Sequence, residues 1–311
     1  MRVNSERPQE TVLRPVRRSL RGAGRVGRVG AEEESERARP PWLRRLVLAL
    51  LVVGSLIYAF PFFWMVSTSL KAPENIYLDP PQWIPAPVVW GNYVQIFDIG
   101  PVWAWVTNST LITVITVLAR TVSSVLVAYG FARFRFPGSR VLFLLLLSSL
   151  MLPGHVTIIP RFLMFRDWHW LDTYWPLIAP NFFGTAFSVF LIRQFLMTLP
   201  RELDEAAEID GATSWDILWR LLVPLSKPVI ATVAVFTFID SWNDFFEPFI
   251  FLSTPDRLTL AVGIRWFRTQ YETQFHLMMA ISVVAVLPIV VAFLFTQKYF
   301  IRGIALTGLK S

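Results

Sequence analysis

Apolar positions along this chain gather into six long runs. Leu46–Val66 carries no charge, and Val106–Ala132 is interrupted only by Arg120. Val141–Ile159, Tyr174–Ile192 and Leu277–Thr296 repeat the pattern, while Val229–Leu252 holds a polar interruption from Asp240 to Glu247. A helix needs about 20 apolar residues to cross a hydrocarbon core. The runs lack the period-two alternation of barrel strands, which need only about 10 residues each. The pattern therefore predicts an all-α integral membrane protein with six transmembrane helices. No small-residue cleavage site follows the first run, so it is expected to stay attached as a signal anchor.

Between the fourth and fifth runs lies a polar segment with its own periodicity, "RELDEAAEIDGATSWDILWRLLVP". Pro200 suits a first helical turn. Leu203, Ala206, Ala207 and Asp210 are predicted on one face and Glu202, Glu205 and Glu208 on another. Gly211 is a natural C-terminal stop, since glycine enters the left-handed region without a Cβ clash. Thr213 then caps a second helix with Asp216 three residues on. Its predicted apolar stripe is Trp215, Leu218, Trp219 and Leu222, with Pro224 and Pro228 ending it. The segment, about 200–226, reads as a helix–turn–helix. Its acidic edge and paired alanines suit close docking on a basic partner. They equally suit a solvated loop with acids favoured at a helix N-terminus.

The interrupted fifth run raises a second question. Asp240, Asn243, Asp244 and Glu247 stand at i, i+3, i+4 and i+7, one helical face, with Trp242, Phe245, Phe246 and Phe249 interleaved. Intramembrane carboxylates face a bundle interior or water. Such a stripe fits the lining of a polyol pathway, because carboxylates accept sugar hydroxyls and aromatic rings pack on apolar sugar faces. It also fits inter-helix pairing, either with a neighbouring chain or with Arg120. Pro248 is expected to kink this helix near its outer end.

Composition supports the membrane reading: 54% of the 311 residues are hydrophobic and only 16% charged, against about a quarter charged in soluble domains. The chain has no cysteine, which excludes disulfides and thiol chemistry. His155, His169 and His276 lie far apart and show no metal-ligand spacing. Residues 1–41 hold ten arginines and six glutamates with few apolar positions. They read as a disordered tail beside acidic lipid headgroups rather than as a nucleic-acid arm. With the N-terminus inside, the inner segments carry 22 Lys and Arg against six in the outer loops. The positive-inside rule thus places both ends, and the acidic segment, in the cytoplasm. The first outer loop, Ser67–Trp105, is rich in proline and tryptophan, residues that suit a non-helical stretch at the interface.

"EAAEIDGA" followed by "LLVP" resembles the EAA loop of ABC importer permeases. Glu205, Ala206, Ala207, Gly211 and Pro224 match in register, and Leu221 and Val223 stand where Ile and Leu are usual. "FPFFWMVSTSLK", "AYGFARFRFPG", "MLPGHVTIIP" and "QKYFIRGIALTGLKS" are similar to the carbohydrate-uptake permeases, most of all to the smaller maltose-type membrane subunit. The likeness spans roughly residues 45–311 and implies one permease domain over 42–311. It implies a bacterial plasma-membrane subunit for a sugar or related polyol, working with a second permease, two copies of a cytoplasmic ABC ATPase and an extracellular or periplasmic solute-binding protein. The EAA loop would be a coupling helix seated in the ATPase. Glu205 would pair with a basic group, Ala206 and Ala207 would allow close seating, Gly211 would set the turn, and Asp210, Ala212 and Pro224 would complete the docking segment. The "GLK" near the C-terminus would reach toward the ATPase interface. No cofactor is expected on this chain. It has no GxxxxGK[ST] loop, so ATP would be hydrolysed by the partner subunit.

Three rivals stand beside this reading. One is a proton- or ion-coupled secondary transporter using Arg120, Asp240, Asp244 and Glu247 as a relay, although no internal repeat supports it. Another is an intramembrane enzyme, for which no Ser/His/Asp, HExxH or paired-aspartate motif appears. The third is a scaffold that recruits a partner through the acidic segment and moves nothing.

Overall fold

The structure, a computed structural model, describes residues 41–268 and 274–308. The predicted tail, apart from Pro41, and Leu309–Ser311 of the C-terminal end lie outside the described residues. The chain divides at Pro61/Phe62 into two compact units. The described part of the first unit belongs to helix α1 (Pro41–Ser69). Leu48, Leu50, Leu51, Leu56 and Ile57 are exposed there, as lipid-facing side chains would be.

The second unit is helical throughout its regular elements. After α2 (Asn92–Ile99) comes the long α3 (Val102–Arg133). Next are α4 (Ser139–Ser148) and α5 (Ile158–Asp167), and then α6 (Ala186–Thr198), which follows short turns from Trp175. The acidic segment forms α7 (Glu202–Ile209) and α8 (Ser214–Leu225). Beyond it lie α9 (Lys227–Asn243), α10 (Phe246–Phe251), α11 (Leu260–Gly263) and α12 (Phe275–Gly308). α3 is the central element, packed along both α6 and α9, and α9 also meets α12. Among the described residues, four helices, with Trp175–Thr198 taken as one, are long and apolar enough to cross a bilayer, and two bent pairs bring the total to six if each pair is one span.

Both bent pairs follow from proline. The predicted third span breaks by 92° between Met151 and Gly154. Pro153 has no N–H to continue the helix, and Leu152 before it takes an extended conformation. The second bend, 79°, separates α8 from α9 between Pro224 and Pro228. The fifth span differs from its expectation, because the helix stops at Asn243 instead of kinking near Pro248. The physical cause is still Pro248. A proline cannot donate to the carbonyl four residues back, and its ring collides with that carbonyl. Four residues back is Asp244, which turns extended (ψ 116°) and ends α9.

Two apolar clusters sit toward opposite ends of α3. One gathers Trp105, Phe165, Phe251, Phe267 and Leu277; the other gathers Ala128, Val189, Leu196, Leu218 and Leu222. Trp105 is fully buried and donates its indole N–H to the Pro255 carbonyl at 2.8 Å. A Cβ at Gly263 would lie 2.3 Å from the Trp105 ring, so only glycine permits that approach. Nearby, the Asp172 carboxylate accepts the amides of Ser253 and Thr254, both at 2.9 Å, and the Thr254 hydroxyl at 2.6 Å. Burial works to raise its pKa, but these hydrogen bonds and Arg257 prevail and hold it to about 2.

Candidate functional site

Two sites emerge, the acidic loop at one end of α3 and a polar cavity at its middle. In the loop, Glu202, Asp204 and Glu205 occupy the first turn of α7, where the helix dipole favours negative charge. Gly211 ends the helix with φ 84°. Its N–H bonds to the Glu208 carbonyl at 3.0 Å, and the Ala212 N–H reaches the Ala207 carbonyl at 2.9 Å. Together these form a Schellman cap. The predicted capping box is present: Thr213 accepts the Asp216 amide while Asp216 accepts the Thr213 amide. Hydrogen bonds from Thr213 hold the Asp216 carboxyl below its ordinary range.

The faces of both loop helices differ from expectation. α7 turns Asp204 and Ala207 inward, leaving Ala206 and Asp210 exposed. The reason lies outside the segment. Arg133, at the end of α3, meets Asp204 with Nε–Oδ2 at 2.7 Å, the two side chains being only 7% and 15% exposed. Arg133 also donates to the Leu199 carbonyl, Arg201 to the Ala132 carbonyl, and the Tyr129 hydroxyl to the Ser214 carbonyl at 3.1 Å. Burial pushes the Asp204 carboxyl up, and the opposing pull of Arg133 and Arg201 does not fully offset it. In α8 the buried residues are Ile217, Leu218 and Leu222, whereas Trp215 and Trp219 are exposed and meet each other with ring centroids 6.2 Å apart. Ile217–Leu222 winds as a π-helix, which displaces the stripe that a 3.6-residue period predicts. Glu202, Glu205, Ala206, Glu208, Ile209 and Asp210 thus form the outward face. Ile209, 87% exposed, is an apolar knob that sequence reasoning missed.

The cavity, about 610 Å³, is lined from several directions. α3 contributes Ser109, Ile112, Thr116 and Arg120, whose spacings of three and four put them on one face. The break at Pro153 brings in Gly154 and His155, and the stretch before α6 adds Asn181. The end of α9 supplies Asp240 and Asn243, the break after it Asp244, and α10 Glu247. Arg120 pairs with Asp240 at 2.8 Å and donates to Asn181 Oδ1 at 2.9 Å. Glu247 is gripped bidentately by Arg161, Nη2–Oε2 being 3.1 Å. The Asp244 carboxylate accepts the amides of Phe246 and Glu247 and so caps α10. The structure therefore brings Asp240, Asn243, Asp244 and Glu247 together at the cavity with Phe245 and Phe246, and does not include Trp242. That indole is buried, stacks on Phe238 and donates to the Ala285 carbonyl at 2.9 Å, so it faces α12 and not the cavity. Arg161 and Asn181 carried no sequence signal, because their partners lie 86 and 61 residues away. Among the described residues, no group of three or more His, Cys, Asp or Glu side chains is arranged to hold a metal.

Membrane-length helices around a polar cavity, with a capped acidic loop at one end, define a membrane transport component. The chain matches the profile of the binding-protein-dependent transport system inner membrane component over residues 120–306 and belongs to that family. Members of this family are transport subunits, so the chain is not an enzyme. It is 32% identical over 275 residues to the arabinooligosaccharides transport system permease protein AraQ of Bacillus subtilis, covering 86% of this chain and 96% of AraQ. It is 33% identical over 263 residues to the sn-glycerol-3-phosphate transport system permease protein UgpE of Yersinia pestis, covering 82% and 93%. In fold it is similar to a chain of a bacterial ABC transporter that imports the acidic polysaccharide alginate. The TM-score is 0.75 and the identity 23%, with 85% of this chain and 98% of that chain covered. A chain of an alginate transporter in complex with its alginate pentasaccharide-bound periplasmic protein shares the fold at TM-score 0.53 and 17% identity, with 81% and 93% covered. The ion-coupled secondary transporter gains no support from these matches.

Proposed function

We propose that this chain is the permease subunit of a bacterial sugar ABC importer, driven through its acidic loop by a separate ATPase. It lies in the plasma membrane with both termini cytoplasmic. It pairs with a second permease, engages two copies of the ATPase, and receives a sugar or related polyol from a solute-binding protein. It binds no cofactor itself; ATP is hydrolysed by the ATPase. The observation that carries this reading is the geometry of the loop. Its inner face is fastened by the Arg133–Asp204 pair and both helix ends are capped, while Glu202, Glu205, Glu208 and Ile209 project outward. A rigid knob with unspent charge and one apolar tip suits docking into a basic cleft. Glu205 pairs there with a basic group, Ala206 allows close seating, and Gly211 sets the turn. Ala207, Ala212 and Pro224 hold the knob's shape, and Asp210 rims it. The Asp240, Asn243, Asp244 and Glu247 wall lines the path of the cargo.

Glu205→Arg in the full complex tests the coupling. Reversing one partner of a desolvated ion pair costs at least about 3 kcal/mol, so ATP-driven uptake into proteoliposomes should fall at least about 100-fold while membrane insertion is retained. Wild-type uptake by this variant would overturn the proposal.

A further inference from the structure

We infer that the cavity wall built by this chain filters cargo by charge, admitting uncharged saccharides and rejecting anionic ones, with Asp244 as the deciding residue. The inference rests on the reading of the cavity as the cargo path. Three carboxylates line the cavity with one guanidinium, that of Arg120. Arg120 pairs with Asp240, and Arg161 pairs with Glu247. Among the described residues, no cation forms an ion pair with Asp244; backbone amides alone meet its Oδ1. The wall thus keeps one uncompensated negative charge in a confined space, where low-dielectric surroundings focus the field.

A second observation points to a ligand rich in hydroxyls. Thr116 and Thr259 line the cavity, are only 2% and 6% exposed, and have Oγ1 atoms without a hydrogen-bond partner. A buried hydroxyl left unpaired costs free energy, so such groups imply an absent polar partner. Two donor–acceptor hydroxyls, the Asn243 amide and the Asp244 carboxylate, which has no ion-pair partner among the described residues, match the mixed donors and acceptors of a neutral sugar. A phosphate group offers mainly acceptors, and a phosphate or a uronate would meet Asp244 with like charge. The relatives named above differ on this point, since one is named for arabinooligosaccharides and another for glycerol 3-phosphate.

The absence of cysteine from the chain permits a direct test. Asn243→Cys is introduced in the full importer, reconstituted in proteoliposomes with its solute-binding protein. Its labelling by a cationic and an anionic methanethiosulfonate reagent is followed on the band of this chain. Rates are expressed relative to free cysteine. The cationic reagent should be favoured by about tenfold. Asp244→Asn in the same background should bring that preference down by about threefold or more. Arabinotriose should slow labelling, while an alginate trisaccharide at equal concentration should not. Labelling that responds to ATP-driven cycling but shows no charge preference overturns the filter and leaves the path reading standing. Labelling indifferent to nucleotide and binding protein overturns the path reading, and the filter with it.

Discussion

Removing Arg133 isolates the energetics of the clamp that holds the acidic loop. In Arg133→Met, Asp204 loses its partner at 2.7 Å while remaining packed against α3. Its carboxyl is already pushed up by burial, with Glu208 and Glu205 adding in the same direction. Breaking a buried pair by deleting one partner costs about 3–5 kcal/mol, because the survivor is uncompensated. Replacing both partners by apolar residues is often neutral. The single variant should therefore open α7 with an opening constant about 100-fold larger or more, and Arg133→Met/Asp204→Leu should recover most of the loss. The pH dependence has a definite sign. A carboxyl whose folded pKa lies above its unfolded value stabilises the fold fully below the unfolded pKa and loses that contribution as pH rises through the folded one. The Arg133→Met defect should thus shrink as pH is lowered from 7 toward the ordinary aspartate range and Asp204 takes up a proton. Hydrogen exchange over 202–212 in the nanodisc-embedded complex reads the opening directly. A double variant no better protected than the single, or a single variant within about threefold of wild type, would refute the argument.

Two further variants probe backbone and loop chemistry. Gly211→Ala meets no atom within 4 Å of the new Cβ, so its cost is purely that of φ 84°, about 1–2 kcal/mol; hydrogen exchange at residues 207–213 should rise roughly tenfold, and no change would refute a left-handed cap. Asp172, held to about 2 against its ordinary 3.8, contributes stability that is present above 3.8 and lost as pH falls toward 2. Solvent screening limits this to about 1–2 kcal/mol. Opening of 252–257, corrected for intrinsic exchange, should rise over that window in wild type and become pH-independent in Asp172→Asn.

The features legible in the sequence were those encoded within one turn of helix. Gly211, Thr213 and Asp216 specify their caps through neighbours two to five residues away, and all three adopt the predicted geometry. Features set by distant partners were not legible. Asp204 faces inward because of Arg133, 71 positions earlier, and no period on α7 reveals that. Trp242 shares the polar stretch with Asp240 and Asp244, yet its indole is drawn to Ala285 on another helix. The break at Asp244 was encoded locally by Pro248. Its effect falls four residues upstream of the proline, so a kink expected at Pro248 missed where the helix ends.

The polar stripe posed a choice between path lining and inter-helix pairing, and the geometry shows that pairing does not withdraw these side chains from the cavity. Asp240 pairs with Arg120 and still borders the cavity; Glu247 pairs with Arg161 and borders it too. Pairing makes two of the three carboxylates tolerable at this depth, and capping α10 holds the third in place. The same helix that carries Arg120 carries Arg133 thirteen residues later, about 20 Å along one continuous α3 at 1.5 Å per residue. One rigid rod thus holds the cavity wall at its middle and the acidic loop at its end. Under the proposed coupling, a push on α7 would reach α3 through the Arg133–Asp204 pair, and a shift of α3 against its neighbours would move Arg120 relative to Asp240 and Asn181. The proposed coupling thus has a direct route, because one helix carries a contact to the knob at Arg133 and a contact to the cavity at Arg120.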